Sequence, residues 1–581
     1  MDLGEIVSIS NDSGFYATSP FVAFSHKSNS LYVIWQKTRG IYGNIEHFKG
    51  QKKSASIVYR ISKDNGRTFG DVITLHEFKG PSSFSPRTAF SPLNENRVFL
   101  AWVDKSSPKK LDVYFSRNSE NEDDDRFGEP VMISDEKTGV CSSEGSNDLS
   151  NFGPGRPSET YDTVTPYIAA GNDNNVYVMW VESTTAKKMS EVAQPESKEA
   201  ATSISFGPGE TDKAAKYMED QIRKSLERAP KYRFSVRVFL RASNDGGKTF
   251  GKKIDLLETS FDSQGGPQVI SPTGPHAIGK NVYVIINPLG RDSDNARVRI
   301  FASTDKGQTF EERTGLSKTV SSIGSKIISA RAEVASKQHD SLYLLLEVAS
   351  HGEEEAVPTP FSFPRAPLIF VKSTDAGRTF GNPVHVGIDG PISSHSSFAV
   401  SPDGNNVHVA YVDMSNPAEG LFDMMKKGTL TGARQIYQLF EESDSGYVFV
   451  RSSNNGGISF EERTKLEDSK NTASISSFAT YILLLPSDRG LYALKAKYIA
   501  HPKDEQKPSF ADAEVLLWHK NTGEKSAAGP FKISGDSGGE SSGPRGIIVE
   551  KENRNPEIYL VWQTDRHTDH ADVFFRRLQT G

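Results

Sequence analysis

The sequence predicts an all-β fold, an eight-bladed β-propeller of four-stranded antiparallel blades. Three observations carry that expectation. A short turn sequence recurs at fixed offsets, and an alternating apolar strand recurs ahead of it. The N-terminal residues repeat the one strand that the last unit lacks. Seven blades is the alternative, should the irregular stretch around Tyr492 not form a blade.

The turn reads SKDNGRTF at Ser62 to Phe69, SNDGGKTF at Ser243 to Phe250, STDKGQTF at Ser303 to Phe310 and STDAGRTF at Ser373 to Phe380. A fifth copy, SNNGGISF at Ser453 to Phe460, carries Asn455 for Asp and Ser459 for Thr. Asp64, Asp245, Asp305 and Asp375 suit an Asx-type turn, because a short carboxylate can accept N–H bonds from residues just ahead of it. Gly66, Gly247, Gly307, Gly377 and Gly457 supply the positive φ that other residues resist. The closing Phe is placed to pack between neighbouring sheets. Degenerate turns occupy the same place at Ser116 to Phe127 and His519 to Phe531.

The strand pattern x-Val/Leu-Tyr-Val-x-Trp is centred on Tyr32, Phe99, Tyr177, Tyr283, Tyr343, His408, Tyr492 and Tyr559. Each unit therefore reads as strand a, strand b, strand c, turn, strand d. In the second these are Arg87 to Phe90, Val98 to Trp102, Asp112 to Phe115 and Pro130 to Ile133. The eighth has a, b and c, then the chain ends. Gly4 to Ser10 resembles Gly128 to Ser134 and fits the missing outer strand, which would close the ring and leave only short edges. The 581 residues are thus read as one domain rather than several.

Composition narrows the function classes. Lys+Arg 68 against Asp+Glu 74 leaves a net charge of −6, which excludes electrostatic capture of nucleic acid. No apolar run approaches the ~20 residues of a membrane helix. One cysteine, Cys141, excludes an internal disulfide framework or a Cys-rich metal centre. Neither a Gly-rich phosphate loop nor a Gly-x-Ser-x-Gly elbow is present, and no cofactor is expected. Asn121-Glu122-Asp123-Asp124-Asp125 lacks the alternation and Gly of a calcium loop and reads as a solvated acidic stretch. Asp565-Arg566-His567-Thr568-Asp569-His570 reads as a polar turn rather than a metal site built on His567 and His570.

The Ser-x-Asp-x-Gly-x-Thr-Phe turn resembles the Asp box, or bacterial neuraminidase repeat, of the sialidase-like propeller superfamily. Strands of the NVYVMW kind ahead of SNDGGKTFG-like turns also resemble uncharacterised archaeal sialidase-like proteins. The resemblance spans nearly the whole chain and implies the propeller fold. It implies no single activity, because Asp boxes occur in sialidases, in other glycosidases and in non-enzymatic receptors. Family habit implies a secreted or cell-surface location. Met1-Asp2-Leu3 leads straight into the presumed closing strand without a signal peptide, which leaves a cytoplasmic location as the alternative. A sialidase would present three arginines, a Tyr–Glu pair and an Asp acid/base, the first arginine in Phe/Tyr-Arg-Ile-Pro. The nearest string, Tyr59-Arg60-Ile61-Ser62, runs directly into the first turn motif, which puts Arg60 at the far end of a c strand.

In this strand order the d–a and b–c connections share one face. The long insertions fall almost entirely in b–c loops, at Lys37 to Lys53, Thr184 to Lys231, His351 to Ala366, Met414 to Ser445 and Tyr498 to Asp512. Two look partly helical, over 184–231 (Asp212 to about Leu226, capped by Thr211) and 414–445 (Ala433 to Glu441). That decorated face is where a ligand or partner is expected.

Aligning the starts of the a strands gives Ser-Pro-Phe21, Ser-Pro-Arg87, Thr-Pro-Tyr167, Gly-Pro-His276, Ala-Arg331 and Gly-Pro-Arg545. Arg87, Arg331 and Arg545, with His276 and Tyr167, thus surround the mouth of a central channel. Converging guanidinium groups there could hold a carboxylate, sulfate or phosphate. The same arginines could instead pair with acids just past the b strands, Asp104, Glu182 and Asp413. Asp104, Glu182, Asp413 and Glu333 are also the carboxyl groups that a glycosidase would draw on. Two functions follow. The first is a non-catalytic propeller that binds a glycan or protein partner through the b–c face; the alternative is an exo-acting glycoside hydrolase of sialidase type acting on an acidic sugar.

Overall fold

The computed structural model describes residues 1–11, 15–25, 28–39, 54–78, 87–90, 97–107, 110–119, 125–134, 140–141, 160–171, 174–187, 231–264, 272–288, 297–321, 327–348, 367–387, 396–412, 447–467, 482–500, 510–535, 540–550, 555–565 and 571–579. The architecture is all-β and propeller-like, built on four-stranded antiparallel units, the second of which carries Val140–Cys141 as a fifth strand. Among the described residues the one α-helix is the short Gly315–Ser321.

The inner, a, strands are Tyr16–Ser25, Arg87–Phe90, Thr160–Ala170, Thr273–Ile278, Ile327–Glu333, Ser397–Val400, Leu483–Ser487 and Glu540–Val549. Each pairs with a b strand carrying the Tyr-centred pattern, then with c and d strands. The stretch around Tyr492 supplies all four: Leu483–Ser487, Gly490–Ala500, Phe510–Asn521 and Ala528–Lys532. Asp2–Ser8 pairs antiparallel with Ala571–Gln579, where Val7 meets Phe575 and Ser8 meets Phe574. Single parallel bridges, Tyr16 to Ala571 and Ala513 to Glu540, join three of the four-stranded units into a longer sheet.

The alternation along the b strands explains the core. Both faces of the b strands are covered, so their described side chains are largely buried instead of alternating with water. Residues of one parity pack against the preceding sheet and residues of the other against the following sheet. Leu344 and Leu346 share a cluster with Tyr283 of the sheet before, and Leu345 shares one with Val409 of the sheet after. The same relation links Val236 to Val284, Val103 to Trp180, Val412 to Ala493, Leu517 to Trp562, and Ile34 to Trp102. It also links the last described sheet to the first, since Val561 and Val33 lie in one cluster. Trp35, Trp102, Trp180 and Trp562 are at most 1% exposed, and burying an aromatic of this size contributes roughly 3 kcal/mol or more.

The turn motif folds as its residues dictate. In the first copy the Gly66 N–H donates to Ser62 Oγ at 2.8 Å, and Ser62 Oγ donates to Asp64 Oδ1 at 2.8 Å. Asp64 also accepts the Thr68 N–H at 2.8 Å and the Thr68 hydroxyl at 2.6 Å. The copies around Asp245, Asp305 and Asp375 repeat this network. In the fifth copy the direction of one bond reverses, because Asn455 Nδ2 donates to Ser459 Oγ at 2.9 Å. The closing aromatics dock on the preceding sheet: Phe69 on Phe575, Phe250 on Phe115, Phe460 on Phe370, with ring centroids 5.1, 5.0 and 5.4 Å apart.

Several expected boundaries move. Strand b of the second unit runs on to Ser107, and that of the third to Lys187, so the insertion expected from Thr184 begins four residues inside a strand. The insertion helices, the acidic run 121–124 and the histidines His567 and His570 lie outside the described residues.

Candidate functional site

Pairing register fixes which inner-strand residues share a level. Phe21 pairs with Ile34, Arg87 with Ala101, Tyr167 with Met179, Arg331 with Leu345 and Arg545 with Val561. Each partner sits two residues beyond the central aromatic of its b strand, so the five residues occupy one level of the inner wall. Ser397 and Leu483 hold this position in their sheets, opposite Ala410 and Leu494.

His276 does not share it. The ladder is interrupted between Thr273 and His276, and Thr273 is the residue opposite Ile285. Gly274 and Pro275 form a bulge, with Gly274 at φ +107°, as Ser19-Pro20 and Gly543-Pro544 do before Phe21 and Arg545. What displaces His276 is the short link to its b strand, where Ile278 already pairs with Asn281. His276 pairs with Tyr283, one step further along the inner wall. Its Nε2 is buried without a hydrogen-bond partner, and burial pushes the imidazole down to about 4, which keeps it neutral.

Arg545 sends Nη1 to the carbonyl of Pro544 at 3.1 Å and lies over the Phe21 ring at 6.0 Å, a cation–π contact between neighbouring units. Arg331 follows Ala330, whose N–H donates to Asn287 Oδ1 at 2.7 Å. Glu333 lies two residues beyond Arg331 on the same side of the strand, opposite Tyr343. Burial raises its carboxyl to about 8, so it holds its proton at neutral pH.

The acids expected just past the b strands are placed differently. Asp104 lies within its strand, is fully buried, and meets His76 Nε2 at 2.8 Å from the outer strand of the preceding sheet. Directly across the ladder from Asp104 stands Asp112, also fully buried. Asp112 accepts the Ser134 hydroxyl at 2.6 Å, and Ser134 Oγ accepts the Val113 N–H at 3.1 Å. His76 packs against Trp102 and Tyr114 with centroids 5.2 and 5.7 Å away. Burial raises the Tyr114 hydroxyl, and the charges of Asp112 and Asp104 raise it further. This cluster went unread in the sequence, although parity marks it: Asp104 follows Trp102, and Asp112 precedes Tyr114, by two residues each.

Glu182 holds the position equivalent to Asp104 in the next sheet, inside strand Val176–Lys187. It accepts Trp180 Nε1 at 3.1 Å and stands opposite Arg237. Burial raises its carboxyl, and the Trp180 bond pulls the other way. Asp413 and the Arg87 side chain lie outside the described residues. Among the described residues no group of three or more His, Cys, Asp or Glu could hold a metal ion, and no helix is long and apolar enough to cross a membrane.

No family model matches the chain, and no curated protein matches it. Solved structures do. The NanB sialidase from Streptococcus pneumoniae is 9% identical, with 99% of this chain and 70% of that chain covered and a TM-score of 0.34. The polysaccharide lyase Uly1 is 8% identical, with 99% and 94% covered and a TM-score of 0.40. The β-propeller domain of the Trilobed protease from Pyrococcus furiosus is 10% identical, with 90% and 97% covered and a TM-score of 0.34.

Proposed function

We propose that the chain is a single eight-bladed propeller of the Asp-box kind that binds a glycan or protein partner at the channel mouth, on the face of the b–c connections. The cyclic run of inter-sheet clusters, from Val33–Ile34 round to Val561, supports the closed ring. The Ser–Asp–Thr network repeated in the turns supports the Asp-box reading.

The observation that carries the binding reading is the shared register of Arg87, Arg331 and Arg545 with Tyr167 and Phe21. A wall that sets guanidinium groups and aromatic rings at one level suits an anionic ligand with an apolar face, since Arg forks match carboxylate and sulfate and aromatic faces cover sugar rings. Titration of immobilised acidic oligosaccharides with wild type, Arg331→Ala and Arg545→Ala tests this. Each substitution is expected to weaken binding about tenfold or more, and unchanged binding in both variants removes the reading.

One observation favours the hydrolase as a second reading. Glu333 keeps a proton near neutral pH beside Arg331 on one strand face, which is the state a general acid requires. Cleavage of a fluorogenic sialoside that disappears in Arg331→Ala and in Glu333→Gln is the expected sign of turnover. Background equal to buffer for the wild type ends that reading.

A further inference from the structure

The inner strand Ile327–Glu333 alternates. Ala330 and Ala332 belong to the apolar cluster between its own sheet and the preceding one. Ser329, Arg331 and Glu333 take the other parity, opposite Glu347, Leu345 and Tyr343. Ser329 donates to Glu347 Oε2 at 2.7 Å. The neighbouring inner strand is tied at the height of the arginine level, because Thr273 Oγ1 donates to the carbonyl of Ala330 at 3.2 Å.

One step further in, the residues opposite the central aromatic of each b strand form a second level. Glu333 and His276 stand there, on adjacent inner strands. The other six strands place Ala23, Ala89, Ala169, Ala399, Leu485 and Ile547 at this level. Two polar residues thus occur on adjacent inner strands in a level that is otherwise apolar. His276 Nε2 is buried and unpartnered, and burial acts on the Glu333 carboxyl with no offsetting charge or hydrogen bond. Buried polar groups of native proteins nearly always have partners, and an orphaned imidazole nitrogen on this wall calls for a ligand or solvent.

We propose that Glu333 and His276 form an uncharged hydrogen-bonding level beneath the arginine level, and that the ligand is an anion carrying hydroxyl groups away from its charge, as a uronic acid does. This rests on the channel-mouth reading and names its ligand class. A protonated carboxyl and a neutral imidazole each offer one donor and at least one acceptor, the complement of sugar hydroxyls, whereas Arg331 supplies the charge. The ionisable groups around Glu333 are Arg331 on its own strand, Tyr343 and Glu347 on the next strand of its sheet, and His276 on the adjacent inner strand. The following inner strand, Ser397–Val400, contributes none. Above about pH 8 Glu333 ionises, loses its donor and sets a negative charge beside the bound anion, so affinity falls.

Calorimetric titration with D-glucuronate and with acetate, at pH 7 and pH 9, tests this. At pH 7 the wild type is expected to prefer glucuronate at least tenfold. Glu333→Ala and His276→Ala lower that preference several-fold and leave acetate affinity unchanged, whereas Glu333→Gln retains it. At pH 9 the wild type loses the preference and Glu333→Gln does not. A preference unaltered in both alanine variants overturns the proposal, as does a wild-type preference flat from pH 7 to pH 9; the second result decides the matter if either alanine variant fails to fold. Failure of the channel-mouth reading is separate, since Arg331→Ala would then bind both probes like the wild type. Binding of neither probe to the wild type overturns both.

Discussion

The ring of Phe575, in the last c strand, lies where a side chain on Gly66, in the first turn, would begin: a Cβ built on Gly66 meets it at 2.5 Å. The turn is therefore shaped against the sheet at the other end of the chain. Gly247 stands in the same relation to Phe115, also at 2.5 Å, so the close approach recurs, although not at Gly377, where no atom comes nearer than 3.6 Å. Gly66 has φ +83° as well. Two costs should then add in Gly66→Ala, about 1 kcal/mol for a left-handed Ala and about 1–3 kcal/mol for overpacking. Gly523 separates them, because its φ is +82° and no atom lies within 4 Å of its would-be Cβ. Denaturant titration should give Gly66→Ala a loss clearly larger than that of Gly523→Ala. Equal losses would mean that the contact with Phe575 contributes nothing.

The turn carboxylates give an acid limb to stability. Burial opposes ionisation of Asp245, but bonds from the Thr249 hydroxyl and N–H, Ser243 and the Lys248 N–H outweigh it and hold the carboxyl at about 2. The folded value is below the unfolded one, so the unfolded chain binds more protons between about pH 2 and pH 4. The stabilisation is complete above that window and is lost as pH falls through it. Asp245→Asn should lower stability at pH 7 and flatten the acid limb, and Asp245→Ala should lower it by about 1 kcal/mol more. Asn455 indicates why Asn is the milder change: its Oδ1 still accepts the Ser459 N–H at 3.1 Å. Thermal melts from pH 2 to pH 7 provide the check, and identical slopes for wild type and Asp245→Asn would count against it.

How much of this was legible in the sequence follows from the range of each interaction. Asp64 and Thr68 are four residues apart and bond to each other, so the turn is written locally. The partner of Gly66 is Phe575, at the other end of the chain. The equivalent position is Phe again at Phe115 and Phe370 but Tyr59, Leu240, Ile300, Val450 and Leu517 elsewhere, so nothing local announces it. Site residues were less legible. Arg331 and Arg545 fell at their expected level, Arg545 just past a bulge at Gly543-Pro544, whereas the two-residue link between Ile278 and Asn281 sets His276 one step further along. The length of such a link sets the register and leaves little mark in composition. Asp104 shows the second limit: an acid at the end of an apolar run looks like a rim residue until His76, from another sheet, accounts for its burial.

That contact is itself testable. Removing His76 leaves Asp104 buried opposite Asp112 with one partner fewer. A buried carboxylate that loses a hydrogen-bonded partner costs about 2 kcal/mol or more. A double-mutant cycle of His76→Ala and Asp104→Asn should return a coupling of at least about 1 kcal/mol at pH 7. Additive losses would show that the two side chains do not depend on each other.

Glu333 should produce the opposite pH signature to the turn aspartates. Its folded value, about 8, lies above the unfolded carboxyl value, so the folded chain holds a proton that the unfolded chain has released. Folding is therefore progressively disfavoured as pH rises from about 4.5 to about 8, and the loss is complete above that. Glu333→Gln has the same shape and cannot ionise. Its stability should match the wild type near pH 4 and exceed it increasingly up to pH 8, beyond which the difference is constant. His276, held neutral by burial at about 4, disfavours folding on the acid side, below about pH 6.5, and does so equally in both proteins. The difference curve between wild type and Glu333→Gln thus isolates the carboxyl, and a curve flat from pH 5 to pH 9 would place Glu333 in contact with water or a counter-charge instead.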